Sequence, residues 1–540
     1  MQQRFKWVLV IVVACIVLVL AALADQARLI PVETASKARV ACLSYAPYRL
    51  AGETPFDPTH RVSAQRIEAD LLLLRKLTNC VRTYAVDQGL DQLPAIAEKL
   101  GMQVLLGIWI GRDVRNNDRQ IELAIRTARA HPSSIRTVIV GNEVLLRQEQ
   151  SPEQLAAYLD TVRNALDIPV TYADVWEFWM KNDTLSRHVD LVTVHILPYW
   201  EDEPVGIAAA VDHVVDIHHE VARHFAPLEV RIGETGWPSQ GRMRGPARPG
   251  LVEQATFVRQ WMNAADREKI DYNLIEGFDQ PWKRRLEGAM GAGWGVFDSD
   301  GLAKFAFDGP VAARADGLAP SVIAGLAGLL LAGLLYAVFL RLNASAAQRS
   351  DGGFRLVGLT GLLIGLLLPW QWHVLSAWNR FWPEWLAAGT FTLLGNLMLL
   401  MVVWRVGQQI DQAQRAPSPI PGRIIGLLVH ALLFGTALFM ILHAFDDRYR
   451  GFPVPLYVAP AVGFLLARLS GPWLPVQTSA SRLLALVVAA CLPWLVWQAG
   501  HENLQALGFL SLPAAMAALS LWPARARMPS NQPAAAGSTE

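Results

Sequence analysis

Between residues 318 and 523 the chain runs through seven apolar stretches, at about 320–340, 355–373, 386–404, 424–444, 453–468, 483–499 and 505–522. Each approaches the roughly 20 residues an α-helix needs to cross a hydrocarbon core. Inside lipid the backbone must pair with itself, so such stretches are expected to be helices. Their interiors hold no Asp, Glu, Lys or Arg; His430, His443 and Asn396 are the main polar groups. Ion-coupled transporters place ionisable groups at that depth. Packing is therefore the expected role of these three.

An eighth apolar run, residues 7–24, follows Arg4 and Lys6. It reads as a signal anchor or as a signal peptide, since Ala22-Leu23-Ala24 resembles a cleavage site. Either way, residues 25–317 are sent across the membrane. With the start in the cytoplasm, the inner loops carry Arg341, Arg349, Arg355, Arg405, Arg415, Arg423, Arg468, Arg482, Arg525 and Arg527. The outer loops carry only Arg380, Arg448 and Arg450, beside Glu384, Asp446, Asp447 and Glu502. That is the positive-inside pattern. The chain thus divides into a segment 1–24, a periplasmic domain 25–317, a seven-span membrane domain 318–523 and a disordered cytoplasmic tail 524–540. The expected location is a bacterial inner membrane.

Hydrophobic residues make up 52% of the chain and charged residues 18%, too apolar for an ordinary soluble enzyme. A formal charge of +1, with no basic tract, excludes nucleic acid as a partner. Four cysteines do not make a disulfide scaffold. Cys42 and Cys80 stand near the starts of two neighbouring strands, and either a bond or two buried thiols fits that placement.

Residues 39–310 alternate short β-branched runs with longer amphipathic ones. The strands are expected at 39–46, 80–86, 103–110, 136–142, 169–174, 190–197, 229–234 and 272–278. Helical patterns fall at 63–77, 91–100, 119–130, 153–166, 207–224 and 251–268. The fold class is α/β, a (β/α)8 TIM barrel, followed by a polytopic α-helical membrane domain. A doubly wound sheet could produce much of this alternation. The polar residues favour the barrel, because they cluster at strand carboxyl ends, where barrels place their chemistry.

The fourth strand ends in Asn142-Glu143 and the seventh in Gly233-Glu234-Thr235-Gly236-Trp237-Pro238. One strand-terminal Glu is more often an ordinary loop carboxylate. Two, from nearly opposite sides of the barrel mouth, form the pair that glycoside hydrolysis needs: one carboxyl protonated to donate, one ionised to attack.

These motifs resemble glycoside hydrolase family 17, the β-1,3-glucanase and glucan transglucosylase family. Ile232–Ser239 resembles its nucleophile signature and Val140–Glu143 its acid/base strand. Val81–Tyr84, Leu197–Trp200 and Gly277–Lys283 are similar to its second, sixth and eighth strand ends. The resemblance spans about residues 39–308. It implies Glu234 as nucleophile and Glu143 as general acid, then base. Asn142 would bond the sugar 2-hydroxyl; Tyr199, Trp237 and Trp282 would stack on glucose rings. Tyr45 and Arg82 would shape the floor, and Lys283 would stand at the eighth strand's mouth. No cofactor or metal is called for. Gln280 departs from the plant members, which have an acidic residue there. That departure and shorter loops look more like the bacterial membrane-bound branch, which includes β-(1,6)-glucan synthesis proteins.

The expected function is retaining transglucosylation of β-1,3-glucan, with β-1,6 links as one product. An endo-β-1,3-glucanase and a non-catalytic glucan-binding or export component are the alternatives. The expected partners are a β-glucan, the membrane and a glucan synthase that makes the polymer.

Overall fold

The computed structural model describes residues 2–314, 316–342, 352–411, 422–446, 451–470, 478–500 and 503–522. Eight parallel strands close a barrel in sequence order. They are β1 (Leu43–Ser44), β2 (Cys80–Arg82), β3 (Gln103–Ile108), β4 (Ile135–Asn142), β5 (Val170–Val175), β6 (Val192–His195), β7 (Val230–Thr235) and β8 (Tyr272–Leu274). β8 returns to β1 through Leu274 and Leu43. β1 and β8 are shorter than the runs that announced them. Their extensions still pair: Tyr45 N donates to Arg82 O at 2.7 Å and Gly277 N to Ser44 O at 2.8 Å.

The six expected helical stretches are helices Ala64–Leu74, Leu93–Lys99, Val114–Ala130, Pro152–Ala165, Ile207–His224 and Leu251–Glu268. Their starts are written in the sequence. Ser63 accepts from Arg66 N, Asp113 from Arg115 N and Asn116 N, and Ser151 forms a capping box with Gln154. Each such cap is worth about 1 kcal/mol. Ile67, Leu71 and Leu74, spaced one turn apart, turn one face of the first helix into the core. Leu71→Ala would cost about 2–5 kcal/mol there.

Cys42 and Cys80 are joined in a disulfide whose Cα atoms stand 4.5 Å apart. With Leu105, Ile139 and Ala173 they form a small apolar cluster of their own. The bond closes a 38-residue separation, a constraint worth roughly 2–4 kcal/mol.

Among the described residues, seven helices are long and apolar enough to cross a membrane: Lys6–Gln26, Ala319–Leu342, Arg355–Trp378, Trp382–Gln409, Gly422–Phe445, Ser479–Ala499 and Leu504–Leu521. The expected span at 453–468 is helix Val454–Ser470, of 17 residues. At 1.5 Å per residue it reaches about 25 Å, less than a typical hydrocarbon core. The tail 524–540 and the loop residues Arg349, Arg415, Asp447, Arg448, Arg450 and Glu502 lie outside the described residues. In helix Gln2–Gln26 a stripe of Val8, Val12, Ile16, Val19 and Leu23 packs into the core of the helical bundle.

The three polar groups expected inside the spans are bonded within the bundle. Asn396 donates to Gln371 Oε1 at 2.9 Å, His430 bonds Gly426 O and Thr478 Oγ1, each at 2.8 Å, and His443 bonds Gly451 O at 2.6 Å.

The barrel meets the bundle with the loops at its strand carboxyl ends. Arg284 donates to Ser376 O, Arg242 stands 3.8 Å from Glu384, and Asn503 Nδ2 lies 3.9 Å from Met243 Sδ. A two-stranded antiparallel ribbon, Leu29–Ile30 with Val311–Ala312, joins the two chain crossings on the way into and out of the barrel.

Candidate active site

Glu143 and Glu234 both stand where a barrel strand breaks register. The β4–β5 ladder shifts between Ile139 and Asn142, and the β7 ladders shift at Val194/His195 and at Ile232/Thr235. Such irregularities re-aim a side chain at the end of a strand. Each carboxylate follows closely on a glycine that nothing larger could replace. A Cβ at Gly141 (φ +86°) would meet Val144 Cγ2 at 2.7 Å, and one at Gly233 would meet Thr193 Cγ2 at 2.6 Å. Glu143 itself adopts φ 52°, a left-handed conformation that costs a non-glycine residue about 1 kcal/mol or more. The turn is held in place: Glu143 N donates to Ala173 O at 2.8 Å, and Leu145 N to Tyr172 Oη at 3.0 Å and Asp174 Oδ2 at 3.3 Å. Burial, with the nearby Glu143 charge, pushes Asp174 up to about 6 against its bond from Tyr172.

Arg82 organises the floor from β2. Its Nη1 donates to Gly233 O at 2.7 Å and Glu234 Oε1 at 3.1 Å, and its Nη2 to Asn142 Oδ1 at 2.5 Å. One buried fork thus fixes the nucleophile candidate and the asparagine together. Arg82 Nη1 also faces His195 Nε2 at 3.3 Å. A guanidinium only donates, so Nε2 accepts and the ring proton sits on Nδ1. From there His195 donates to Glu143 Oε1 at 2.9 Å.

Oxygens of Glu143 and Glu234 and a ring nitrogen of His195 all lie within 4.8 Å of one another. Such a triad has the donors for a cation, but the Arg82 guanidinium already supplies positive charge to it. Burial alone would raise the Glu143 carboxyl. The hydrogen bond from His195, with the charges of Arg147 and Arg82, outweighs burial and holds it below the usual carboxylate range.

A second charged group lies at the β8 end. Lys283 pairs with buried Glu276. Burial pushes Glu276 up to about 8, against the pull of Lys283. It also raises Glu287, which lines the same cleft.

The cleft over these groups has a volume of about 1310 Å³, enough for several sugar rings. Of the residues expected at the site, Tyr45, Asn142, Glu143, Glu234, Trp282 and Lys283 line it. Arg82 lies just beneath, 1% exposed. Tyr45 spends its hydroxyl on Asp70 Oδ2 at 3.0 Å. Tyr199 and Trp237 stand outside the lining, which corrects their assignment as stacking faces. Both are fully buried. The Tyr199 hydroxyl donates to Arg242 O at 2.6 Å, and Trp237 stacks on Phe257 at 5.9 Å while its Nε1 donates to Arg248 O. The next residue along, Trp200, lines the cleft instead. Sequence reasoning also missed His195, Glu276 and the cleft aromatics Trp109 and Phe178. Histidine at the end of an apolar strand was the one signal available for His195.

The profile of the BtgE/BtgC glycoside hydrolase domain matches residues 42–295. Over that stretch the barrel is similar to glycoside hydrolases named for their action on β-1,3-glucan. A glucan 1,3-beta-glucosidase of Candida albicans is 26% identical over 265 residues, covering 45% of this chain and 85% of the relative. The glucan endo-1,3-beta-glucosidase btgC of Emericella nidulans is 28% identical over 253 residues, covering 41% of this chain and 38% of the relative. Among solved structures, an active-site mutant of a Rhizomucor miehei beta-1,3-glucanosyltransferase in complex with laminaritriose is 26% identical, with a TM-score of 0.43, covering 49% of this chain and 95% of that one. The match ends before the barrel gives way to the apolar helices.

Proposed function

We propose that the chain is a membrane-anchored retaining enzyme that remodels β-1,3-glucan by transglucosylation. The observation that carries this is the pair Glu143 and Glu234, with oxygens within 4.8 Å across the barrel mouth. Retaining pairs stand roughly 5–5.5 Å apart and inverting pairs about 6.5–9.5 Å, leaving room for a water. Glu234, ionised and held by Arg82, attacks the anomeric carbon. Glu143 Oε1 is committed to His195, and the carboxyl is held low in the free chain, so it must take up a proton on its second oxygen before that oxygen donates to the departing glycosidic oxygen. The same group then takes a proton from the acceptor. Asn142, oriented by Arg82, meets the sugar 2-hydroxyl, and Trp200, Trp282 and Trp109 offer faces for neighbouring rings. The glucan-active names of the relatives support the substrate class.

The anchoring and location belong to the same proposal. The disulfide supports an oxidising compartment. The barrel contacts Ser376, Glu384 and Asn503, in or beside the arginine-poor loops, which supports a periplasmic barrel on an inner membrane with a cytoplasmic C-terminus, provided that the short helix Val454–Ser470 crosses as an eighth span. The packed stripe of helix Gln2–Gln26 supports a retained anchor, and domain limits near residues 25, 317 and 523 follow. A glucan modified at the membrane implies a synthase beside it, and β-1,6 is the linkage we expect in the product.

The test incubates the full chain in detergent with a reducing-end-labelled laminari-oligosaccharide and follows products by mass spectrometry. Glu234-dependent products longer than the input are expected, and linkage analysis then identifies the new bond. Only shorter products would make it a glucanase. No Glu234-dependent change would leave a glucan-binding module.

A further inference from the structure

Two residues on the cleft wall come from the bundle rather than the barrel. Arg380 stands in the turn between helices Gly352–Trp378 and Trp382–Asp411, and Asp446 just past helix Gly422–Phe445; both line the cleft. They approach it from the side of β7 and β8. There Arg242, in the turn after β7, is 3.8 Å from Glu384, and Arg284, after β8, donates to Ser376 O. In a ring of eight, β3 and β7 face one another. Trp109, after β3, therefore lines the opposite wall.

Glu384 holds this end together. It accepts from Arg380 Nε at 2.9 Å and Nη2 at 2.6 Å while facing Arg242. Arg242, Arg380 and Asp446 all line the cleft. With Glu384 behind them, the charges among the described residues here are two positive and two negative. A neutral polyhydroxyl chain suits such a wall: guanidinium groups donate to sugar oxygens and the carboxylate accepts from sugar hydroxyls. An anionic headgroup would meet two carboxylates there.

We propose that Arg242, Arg380 and Asp446 form a sugar subsite at the β7 end of the cleft, so that the membrane bundle completes the binding site and helps set the length of neutral glucan it takes. This rests on the reading of the barrel as glucan-active. Glu384 is a positioning residue for the two arginines. The consequence is that chain-length preference belongs to the whole protein.

The experiment measures binding of laminaritriose and of a longer laminari-oligosaccharide to the full-length Glu234→Gln chain in nanodiscs, by calorimetry. Arg380→Ala and Asp446→Ala are each added to it, with Arg380→Lys as a variant that keeps the charge. The preference for the longer sugar is expected to fall about threefold or more in both alanine variants, and less in Arg380→Lys. An unchanged preference in both would overturn the proposal. So would a preference that follows the charge of the nanodisc lipid and ignores the substitutions, which would assign the wall to headgroups. Turnover by the parent chain is read separately. Its absence, with the length preference still sensitive to Arg380, would count against the enzyme reading alone.

Discussion

The barrel and the helical bundle both bury polar side chains, and they use them in opposite ways. In the barrel, Arg82 and His195 are bonded to groups that face a cleft: Glu234, Asn142 and Glu143. In the bundle, Gln371 and Asn396 bond each other, and His443 bonds the Gly451 carbonyl. The barrel's network leaves carboxylate oxygens for a substrate. These bundle pairs turn inward instead, as packing between apolar helices favours. Where the two regions touch, at Arg242, Arg380 and Glu384, polar groups face a cleft once more.

The sharpest way to break this contrast is Arg82→Met. Loss of the fork should lower kcat by about 10³, in line with removal of a preorganised donor. Arg82→Lys should not restore it, because a point charge cannot hold Glu234 and Asn142 together. Thermal unfolding of both variants separates this from loss of the fold. An Arg82→Met enzyme within tenfold of the parent would deny the network its role.

His195→Asn comes next, with a kcat loss of about tenfold or more. Its pH profile is the more telling readout. His195 holds the Glu143 carboxyl down, so removing it lets burial raise that carboxyl. The acid must be protonated to work, so the alkaline limb of kcat/KM should move to higher pH. A limb that stays in place, or moves the other way, would separate Glu143 from the proton donation.

A smaller effect divides two adjacent residues. Trp200→Ala should raise KM about tenfold through a lost stacking face. Tyr199→Phe should leave KM alone and cost about 1 kcal/mol of stability, the worth of its bond to the Arg242 carbonyl. The smallest effect belongs to the bundle. Gln371→Leu with Asn396→Leu should change stability by only about 0.6 kcal/mol and glucan turnover not at all. A large loss of turnover would give the bundle's interior a catalytic part.

Much of this architecture is legible in the sequence because the barrel repeats a simple pattern. Eight apolar runs and six amphipathic ones announce nearly all of its strands and helices. Helix Trp176–Lys181 was not legible, since it follows β5 with no loop to mark its start. Glu143 and Glu234 stand out because each ends a strand beside a glycine. His195 does not, because its aim depends on a register shift between strands, which no single strand reveals. The exchange of Tyr199 for Trp200 has a similar cause. Trp200 N closes a turn on Leu197 O at 2.7 Å, and in a turn the alternation that sorts inward from outward is gone. Trp237 looks like a cleft residue by position but faces outward onto Phe257 of helix Leu251–Glu268. Glu276 pairs with Lys283 seven positions further along, a contact that spacing alone does not display.

The central claim is that Glu234 attacks the sugar and forms a covalent intermediate with Glu143 as its acid. It is tested most directly by incubating the full chain with a 2-deoxy-2-fluoro laminaribioside bearing an activated leaving group. Fluorine beside the anomeric carbon destabilises the oxocarbenium-like transition state, so the intermediate accumulates. Peptide mass spectrometry should find one glycosyl adduct, on Glu234, that is lost in Glu234→Gln. An adduct on another residue, or turnover that inverts the anomeric configuration, would contradict the account.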